Sequence, residues 1–147
     1  MKGFLSFITL NFIPKSPDFG LLLLRAGLGI GILFLHGWNK WINFSKLAPG
    51  FPDPLHLQST KVSLGLTVFA EVVCAALLII GLCTRFAALA LAITMGVAFF
   101  LQHKVALSGQ GSGELAAVYL LGFVTLLVAG PGRFSFDSNG GSGAKPH

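Results

Sequence analysis

Two ionisable residues, Arg25 and Glu71, lie inside long apolar stretches, where a charge calls for a chemical explanation. Arg25 falls within the stretch from Phe19 to Trp41, and Glu71 within the stretch from Val62 to Cys83. A lone charge at the centre of a bilayer costs at least about 2.5 to 3.5 kcal/mol on insertion scales, so each normally faces a partner or a wet cavity. The two residues predict a buried polar pair. Three alternatives stay open: a structural ion pair that fixes helix register, a functional pair that moves a proton or binds an anion, and no contact.

A second set of polar side chains is expected at the opposite membrane face, where the first and third apolar stretches end and the fourth begins. Its members are His36, Lys40, His103 and Glu114, with Trp38, Trp41 and Lys104 beside them. Such a set suits a quinone headgroup, which needs an apolar slot and one or two donors to its carbonyl oxygens. The alternative is that the histidines stabilise helix ends and the tryptophans anchor the helices at the membrane surface.

The spacing along the first stretch predicts a polar stripe. Arg25, Gly29, Ile32, His36 and Lys40 recur every three to four residues, which places them within a sector of about 60° on an ideal helix. Two histidines are too few for a convincing metal site, so we predict none. The sequence also contains no Cys-x-x-Cys pair and no nucleotide-binding fingerprint, and we predict no covalently bound cofactor.

The elements that must position these residues are transmembrane helices. The chain has 147 residues, of which 54% are hydrophobic and only 10% are charged, which is far more apolar than an ordinary soluble domain. Crossing a hydrocarbon core takes about 20 residues. The sequence therefore predicts an all-α integral membrane four-helix bundle with spans over Phe19–Trp41, Val62–Cys83, Phe86–Leu101 and Leu115–Gly130.

Three regions follow from this pattern. Residues 1–18 are predicted to form an amino-terminal interfacial segment, residues 19–137 the four-span membrane domain, and residues 138–147 a flexible Gly-rich tail. The connection from Asn43 to Thr60 contains three prolines and a glycine among apolar residues. We expect this loop to fold onto the mouth of the bundle as a lid, with His56 near the polar set.

The net charge of +5 does not indicate nucleic-acid binding, because the basic residues are scattered singly between apolar segments. The lipid bilayer explains them better. With four spans, Lys2, Lys15, Arg85, Arg133 and Lys145 share one side, and Lys40, Lys46, Lys61 and Lys104 share the other. This small excess favours both termini in the cytoplasm.

Several motifs, taken in order, resemble the DoxX family of small bacterial four-span membrane proteins over roughly residues 19–137. They are Arg25-Ala-Gly-Leu-Gly, His36-Gly-x-x-Lys40, Glu71, Gly81-Leu-x-Thr84-Arg85, Glu114, and Gly130-Pro-Gly-Arg-Phe-Ser-Phe-Asp137. The resemblance implies a bundle in the cytoplasmic (inner) membrane. It also implies a relation to quinone-linked thiosulfate-oxidising subunits and to complexes of oxidative-stress defence, with His36, Lys40 and His103 as quinone contacts and Arg25 with Glu71 as an internal polar relay.

Three functional hypotheses follow. The first is the membrane subunit of a quinone-linked or stress-related oxidoreductase complex, in which a soluble or membrane partner brings the electrons. The second is a non-catalytic assembly or envelope protein whose ionisable residues only hold helices together. The third is a small-solute transporter, which four short spans support only if the chain forms a homo-oligomer. Whether the chain is itself an enzyme is left open, since it carries no cofactor motif.

Overall fold

The structure is a computed structural model that describes residues 8, 10 and 14–140. Its helices, numbered in chain order, are α1 Pro17–Ile42, α2 Phe44–Leu47, α3 Thr60–Ile80, α4 Thr84–Gln102, α5 Glu114–Ala129 and α6 Phe136–Gly140. A 3₁₀ turn, Ala48–Gly50, follows α2. The described residues contain no strand, so the predicted all-α fold class is confirmed. The predicted interfacial segment lies mostly outside the described residues, as does most of the predicted tail.

The ends of the helices follow from local chemistry. The side chain of Ser16 accepts a hydrogen bond from the Phe19 N–H and caps α1, and Ser59 does the same for α3 through the Val62 N–H. α3 ends at Ile80 because Gly81 takes a left-handed conformation, with φ of +76°. The prediction had carried this segment on to Cys83, which instead lies in the turn before α4.

Three of the helices, α1, α3 and α4, are long and apolar enough to cross a membrane, and α5 is a shorter apolar helix of 16 residues. At about 1.5 Å per residue, α5 is roughly 24 Å long, somewhat less than the hydrocarbon core. Large apolar side chains cover the outside of the bundle, among them Leu35 and Val128, which are 74% and 78% exposed. An apolar exterior of this kind is suited to lipid, and the protein is a membrane protein.

The core is built from small residues packed against large ones. Ala87, Ala88 and Leu91 of α4 are fully buried and share a cluster with Phe123 and Leu126 of α5. Small side chains let two helix backbones approach closely, which is how helices associate in lipid. As a result, α4 and α5 pack closely against each other.

Three of the long helices contain a π-helical segment. These segments are Ile32–Gly37 in α1, Phe69–Cys74 in α3 and Ala98–Gln102 in α4. A π turn closes hydrogen bonds between residues five apart instead of four, so it changes which residues share a helix face, and such segments are frequent at functional sites. The segments in α1 and α4 lie toward the end of the bundle that carries the α1–α3 and α4–α5 connections, and the segment in α3 lies near the middle of its helix.

Candidate functional site

Lys40 and Glu71 form a buried ion pair between α1 and α3. The Lys40 Nζ donates to both carboxylate oxygens of Glu71, at 2.7 Å to Oε1 and 2.6 Å to Oε2. The Glu71 side chain is 4% exposed and that of Lys40 is 24% exposed. Charged groups held this close with two hydrogen bonds offset much of the cost of leaving water.

A close approach of two helices positions this pair. A Cβ atom on Gly37 would lie 2.6 Å from the backbone oxygen of Glu71, so only glycine permits this contact. Glu71 is thereby set against the last turns of α1, and the Lys40 side chain, one turn further on, reaches it. Both Gly37 and Glu71 lie in π-helical segments.

The structure does not bring Arg25 and Glu71 together, so the predicted pair is replaced by two separate contacts. Arg25 is 1% exposed and its Nη2 donates to the backbone oxygen of Phe134. The physical reason is register. Because Glu71 faces Gly37 in this antiparallel pair, Arg25 lies roughly 18 Å further along the helix axis, beyond the reach of its side chain.

Arg25 belongs instead to a closely packed corner formed by the two turns at its end of the bundle. Any Cβ on Gly81 would collide with the Arg25 guanidinium. Asp137 accepts hydrogen bonds from the backbone N–H groups of Cys83 and Thr84, at 2.7 and 2.8 Å, and so caps α4. Desolvation alone raises the pKa of Asp137, but these hydrogen bonds and the nearby Arg25 charge outweigh it and leave the pKa below its ordinary value.

A cavity of about 470 Å³ opens beside the Lys40–Glu71 pair, between α3, α4 and the loop after α2. Its volume falls within the range of about 300 to 1,000 Å³ typical of small-molecule sites. Its walls are mostly apolar. Leu66, Phe69 and Ile93 line it and are 54%, 45% and 58% exposed, so the cavity is open between α3 and α4, on an apolar side of the bundle that faces lipid in a membrane. Its polar lining side chains are Lys40, Ser63, Thr67, Glu71, Thr94, Gln102 and His103.

The loop between α2 and α3 covers this cavity, where the sequence analysis expected a lid. Phe51, Pro52, Pro54, Leu55 and Leu57 contribute to its wall. His56, by contrast, is exposed and does not line the cavity. It adopts a left-handed conformation with φ of +52°, which is uncommon for a residue other than glycine.

Asp53 ties this lid to α3. Its Oδ1 accepts hydrogen bonds from the Leu57 N–H at 3.1 Å and from the Ser63 hydroxyl at 2.9 Å. Desolvation raises the pKa of Asp53, but these hydrogen bonds and the nearby His56 lower it more, so the net pKa lies below the ordinary value. The lid is therefore held by a carboxylate that stays ionised well into the acidic range.

Of the four predicted ligand contacts, Lys40 and His103 line the cavity, whereas His36 and Glu114 do not. His36 packs edge-on against Tyr119 of α5, with ring centroids 6.0 Å apart. Glu114 is exposed at the first position of α5. His36 does not lie on the polar face that the spacing predicted. The π-helical segment adds a residue to one turn of α1, so Gly37 rather than His36 continues the face that meets α3.

Sequence reasoning missed the contribution of two threonines to the site. Thr67 and Thr94 face the same cavity from α3 and α4. Thr67 lies four residues before Glu71, and this helical spacing was the available signal. Thr94 has no polar residue three or four positions away in the sequence, so no comparable signal was available. Within the described residues, no group of three or more His, Cys, Asp or Glu side chains is arranged to hold a metal ion.

Comparison with known proteins places these observations in a family. The family model described as DoxX matches residues 20–104. An uncharacterised membrane protein of Mycobacterium tuberculosis is 31% identical over 121 residues, covering 74% of this chain and 74% of its own. Two uncharacterised proteins of Haemophilus influenzae are 31% and 30% identical, covering 71% and 88% of this chain and 70% and 96% of their own. No solved structure matches.

Proposed function

This chain belongs to the DoxX family, and we propose that it is the quinone-binding membrane subunit of an oxidoreductase complex. The observation that carries the proposal is the cavity beside Lys40 and Glu71. It combines apolar walls, an opening toward lipid and a few polar groups at one end. A molecule with an isoprenoid tail and a small polar ring needs these features, because the ring enters from the bilayer while the tail stays in lipid.

Electron transfer is assigned to a partner. The chain carries no nucleotide-binding fingerprint, haem attachment motif or dithiol, so a second subunit must deliver or accept the electrons that the quinone carries. In this arrangement the membrane subunit binds the quinone, excludes water and supplies charged groups near the ring. We place it in the inner membrane with both termini in the cytoplasm.

The proposal is tested by quinone retention. The protein is purified in a mild detergent, its lipid-soluble contents are extracted, and quinone is quantified per mole of protein. Ala98→Phe fills the cavity from α4, whereas Ala76→Phe adds the same ring to an exposed position on α3. We expect quinone with the wild type and Ala76→Phe, and a loss of at least fivefold with Ala98→Phe. Equal retention by both variants, or no quinone in the wild type, would overturn the proposal.

A non-catalytic role in membrane assembly is the second candidate, and one observation favours it. Both buried charges are partnered within the chain, Glu71 by Lys40 and Arg25 by the Phe134 carbonyl, as expected if they only hold helices together. The two candidates differ in the cavity. An assembly role predicts that Ala98→Phe leaves growth and tolerance to thiosulfate or peroxide unchanged, and a quinone-linked role predicts a defect.

A further inference from the structure

The threonine hydroxyl groups on the helical walls of the cavity already donate hydrogen bonds to backbone oxygens of their own helices. Thr67 Oγ1 donates to the Ser63 backbone oxygen at 2.9 Å, and Thr94 Oγ1 donates to the Ala90 backbone oxygen at 2.9 Å. A hydroxyl has one hydrogen and two lone pairs. Once the hydrogen is bonded back to the helix, a threonine can offer a ligand only its lone pairs, so both residues are acceptors toward the cavity.

Ser63 follows the same rule at the lid. Its hydroxyl donates to Asp53 Oδ1 at 2.9 Å. The carboxylate of Asp53 is acceptor-only when ionised, so the hydrogen of this bond belongs to Ser63. The serine oxygen on the cavity wall is therefore a third acceptor.

The tautomer of His103 is fixed by a backbone carbonyl. Its Nδ1 lies 2.6 Å from the Gly111 oxygen, and a carbonyl oxygen can only accept a hydrogen bond. The hydrogen must therefore be on Nδ1, which leaves Nε2 of the neutral ring with a lone pair and no hydrogen. The histidine that the sequence suggested as a donor to a quinone carbonyl is, in this state, an acceptor.

The ion pair adds further acceptors. Two of the three hydrogens of Lys40 are bonded to Glu71, whose carboxylate oxygens keep free lone pairs. Among the described side chains of the cavity wall, the donors left over are the third Lys40 hydrogen and the Gln102 amide. Against these stand acceptors on six residues: Ser63, Thr67, Glu71, Thr94, His103 and, through its amide oxygen, Gln102.

We infer that the cavity selects a lipid-soluble ligand whose polar group donates hydrogen bonds, and that it takes a quinone in its reduced, hydroquinone form. The inference rests on the proposed function for the identity of the ring. A hydroquinone has two hydroxyl donors that match this wall, whereas the carbonyls of the oxidised ring would face lone pairs. A buried polar group left without its partner is costly, and sites built on hydrogen bonds discriminate strongly against analogues that lack them.

The test compares two pairs of ligands that differ in their hydrogen-bond donors. The full chain is placed in lipid nanodiscs, and equilibrium affinities are measured under anaerobic conditions for a short-chain ubiquinol and its quinone. A second, redox-inert pair is 4-dodecylphenol and its methyl ether. We expect the quinol to bind at least tenfold more tightly than the quinone, and the phenol at least tenfold more tightly than the ether.

The outcomes separate the two proposals. Quinone binding as tight as quinol overturns the donor selectivity and leaves the quinone site standing. Preference for phenol over ether without binding of quinol or quinone supports the selectivity and overturns the quinone site. If none of the four compounds binds, both proposals fail.

A matched variant assigns the effect to the cavity wall. Thr94→Val removes one acceptor at nearly constant volume, whereas Thr125→Val removes the same kind of back-bonded hydroxyl from the exposed face of α5, where Thr125 donates to the Leu121 oxygen at 2.8 Å. We expect Thr94→Val to weaken quinol binding at least threefold without weakening quinone binding, and Thr125→Val to change neither. Melting temperatures within a few degrees of the wild type establish that both variants fold. Equal quinol affinity in all three proteins would contradict the assignment.

Discussion

The two ends of the bundle each bury a charged side chain, but they surround it differently. At one end, the closed end, Arg25 is enclosed by the turns that carry Gly81 and Phe134. Its Nε and Nη1 find no hydrogen-bond partner among the described residues. At the other end, the open end, Glu71 is hydrogen-bonded to Lys40 beside an open cavity. The buried charge therefore has two different settings here: Arg25 packs between connecting turns, and Glu71 lies in the wall of a cavity.

The closed end is broken most severely by Gly81→Ala. The new Cβ would collide with the guanidinium of Arg25, and φ of +76° disfavours alanine. Left-handed strain of about 1 to 2 kcal/mol and overpacking of about 1 to 3 kcal/mol together predict a loss of roughly 2 to 5 kcal/mol of stability. Thermal unfolding in detergent measures it. Gly96→Ala on α4, where a Cβ meets nothing within 4 Å, is the control and should be neutral or slightly stabilising. Equal melting temperatures for the two variants would show that the Gly81 corner is not tightly packed.

The open end is tested by separating Lys40 from Glu71. Lys40→Met leaves a buried carboxylate without its cation and should lower stability by about 2 to 4 kcal/mol, since Lys40 keeps partial access to solvent. Lys46→Met removes an exposed lysine from α2 and should have little effect. The double variant Lys40→Met with Glu71→Gln should be more stable than the sum of the single losses predicts, which unfolding curves of the four proteins measure. Strict additivity would argue against the pair.

The helices of both ends were predictable because they depend on local composition. Four apolar stretches bounded by glycine, proline and serine give the four long helices to within three residues, and the proline-rich loop predicts the lid. The partners of the buried charges were not predictable in the same way. They depend on helix register, and one glycine, Gly37, sets that register by admitting the Glu71 backbone.

Residue spacing also could not predict which side chains of α1 share a helix face. An ideal helix aligns His36 with Arg25 and Lys40, but the π-helical segment Ile32–Gly37 breaks that alignment. His36 therefore meets Tyr119, while Lys40 still reaches Glu71. No residue pattern in this segment signals a π turn. Of the predicted ligand contacts, Lys40 and His103 accordingly line the cavity, whereas His36 and Glu114 do not.

A smaller effect at the closed end comes from Asp137, whose carboxylate caps α4. Asp137→Asn should cost about 1 kcal/mol at pH 7, a typical value for a weakened cap. Because the folded pKa is below the unfolded one, the stability from this carboxylate is present above the unfolded pKa and is lost as pH falls through the folded pKa. The difference in melting temperature between wild type and variant should therefore shrink between pH 7 and pH 3. Glu114→Gln, at an exposed carboxylate of the other end, serves as the control. A difference that grows on acidification would reverse the assigned sign.

The smallest expected effect on the stability of the whole protein concerns the lid of the open end. Asp53→Ala removes the acceptor for the Leu57 N–H and the Ser63 hydroxyl, so the loop should open more often while the helices stay folded. Hydrogen exchange of the Leu57 amide should accelerate at least tenfold, with exchange in the core of α4 unchanged. His56→Asn changes an exposed lid residue whose φ of +52° asparagine tolerates well, so it should not accelerate exchange. Unchanged protection of Leu57 in Asp53→Ala would mean that the apolar contacts of Phe51 and Leu55 alone hold the lid, and the contrast between the ends would then rest on the ion pair rather than on the loop.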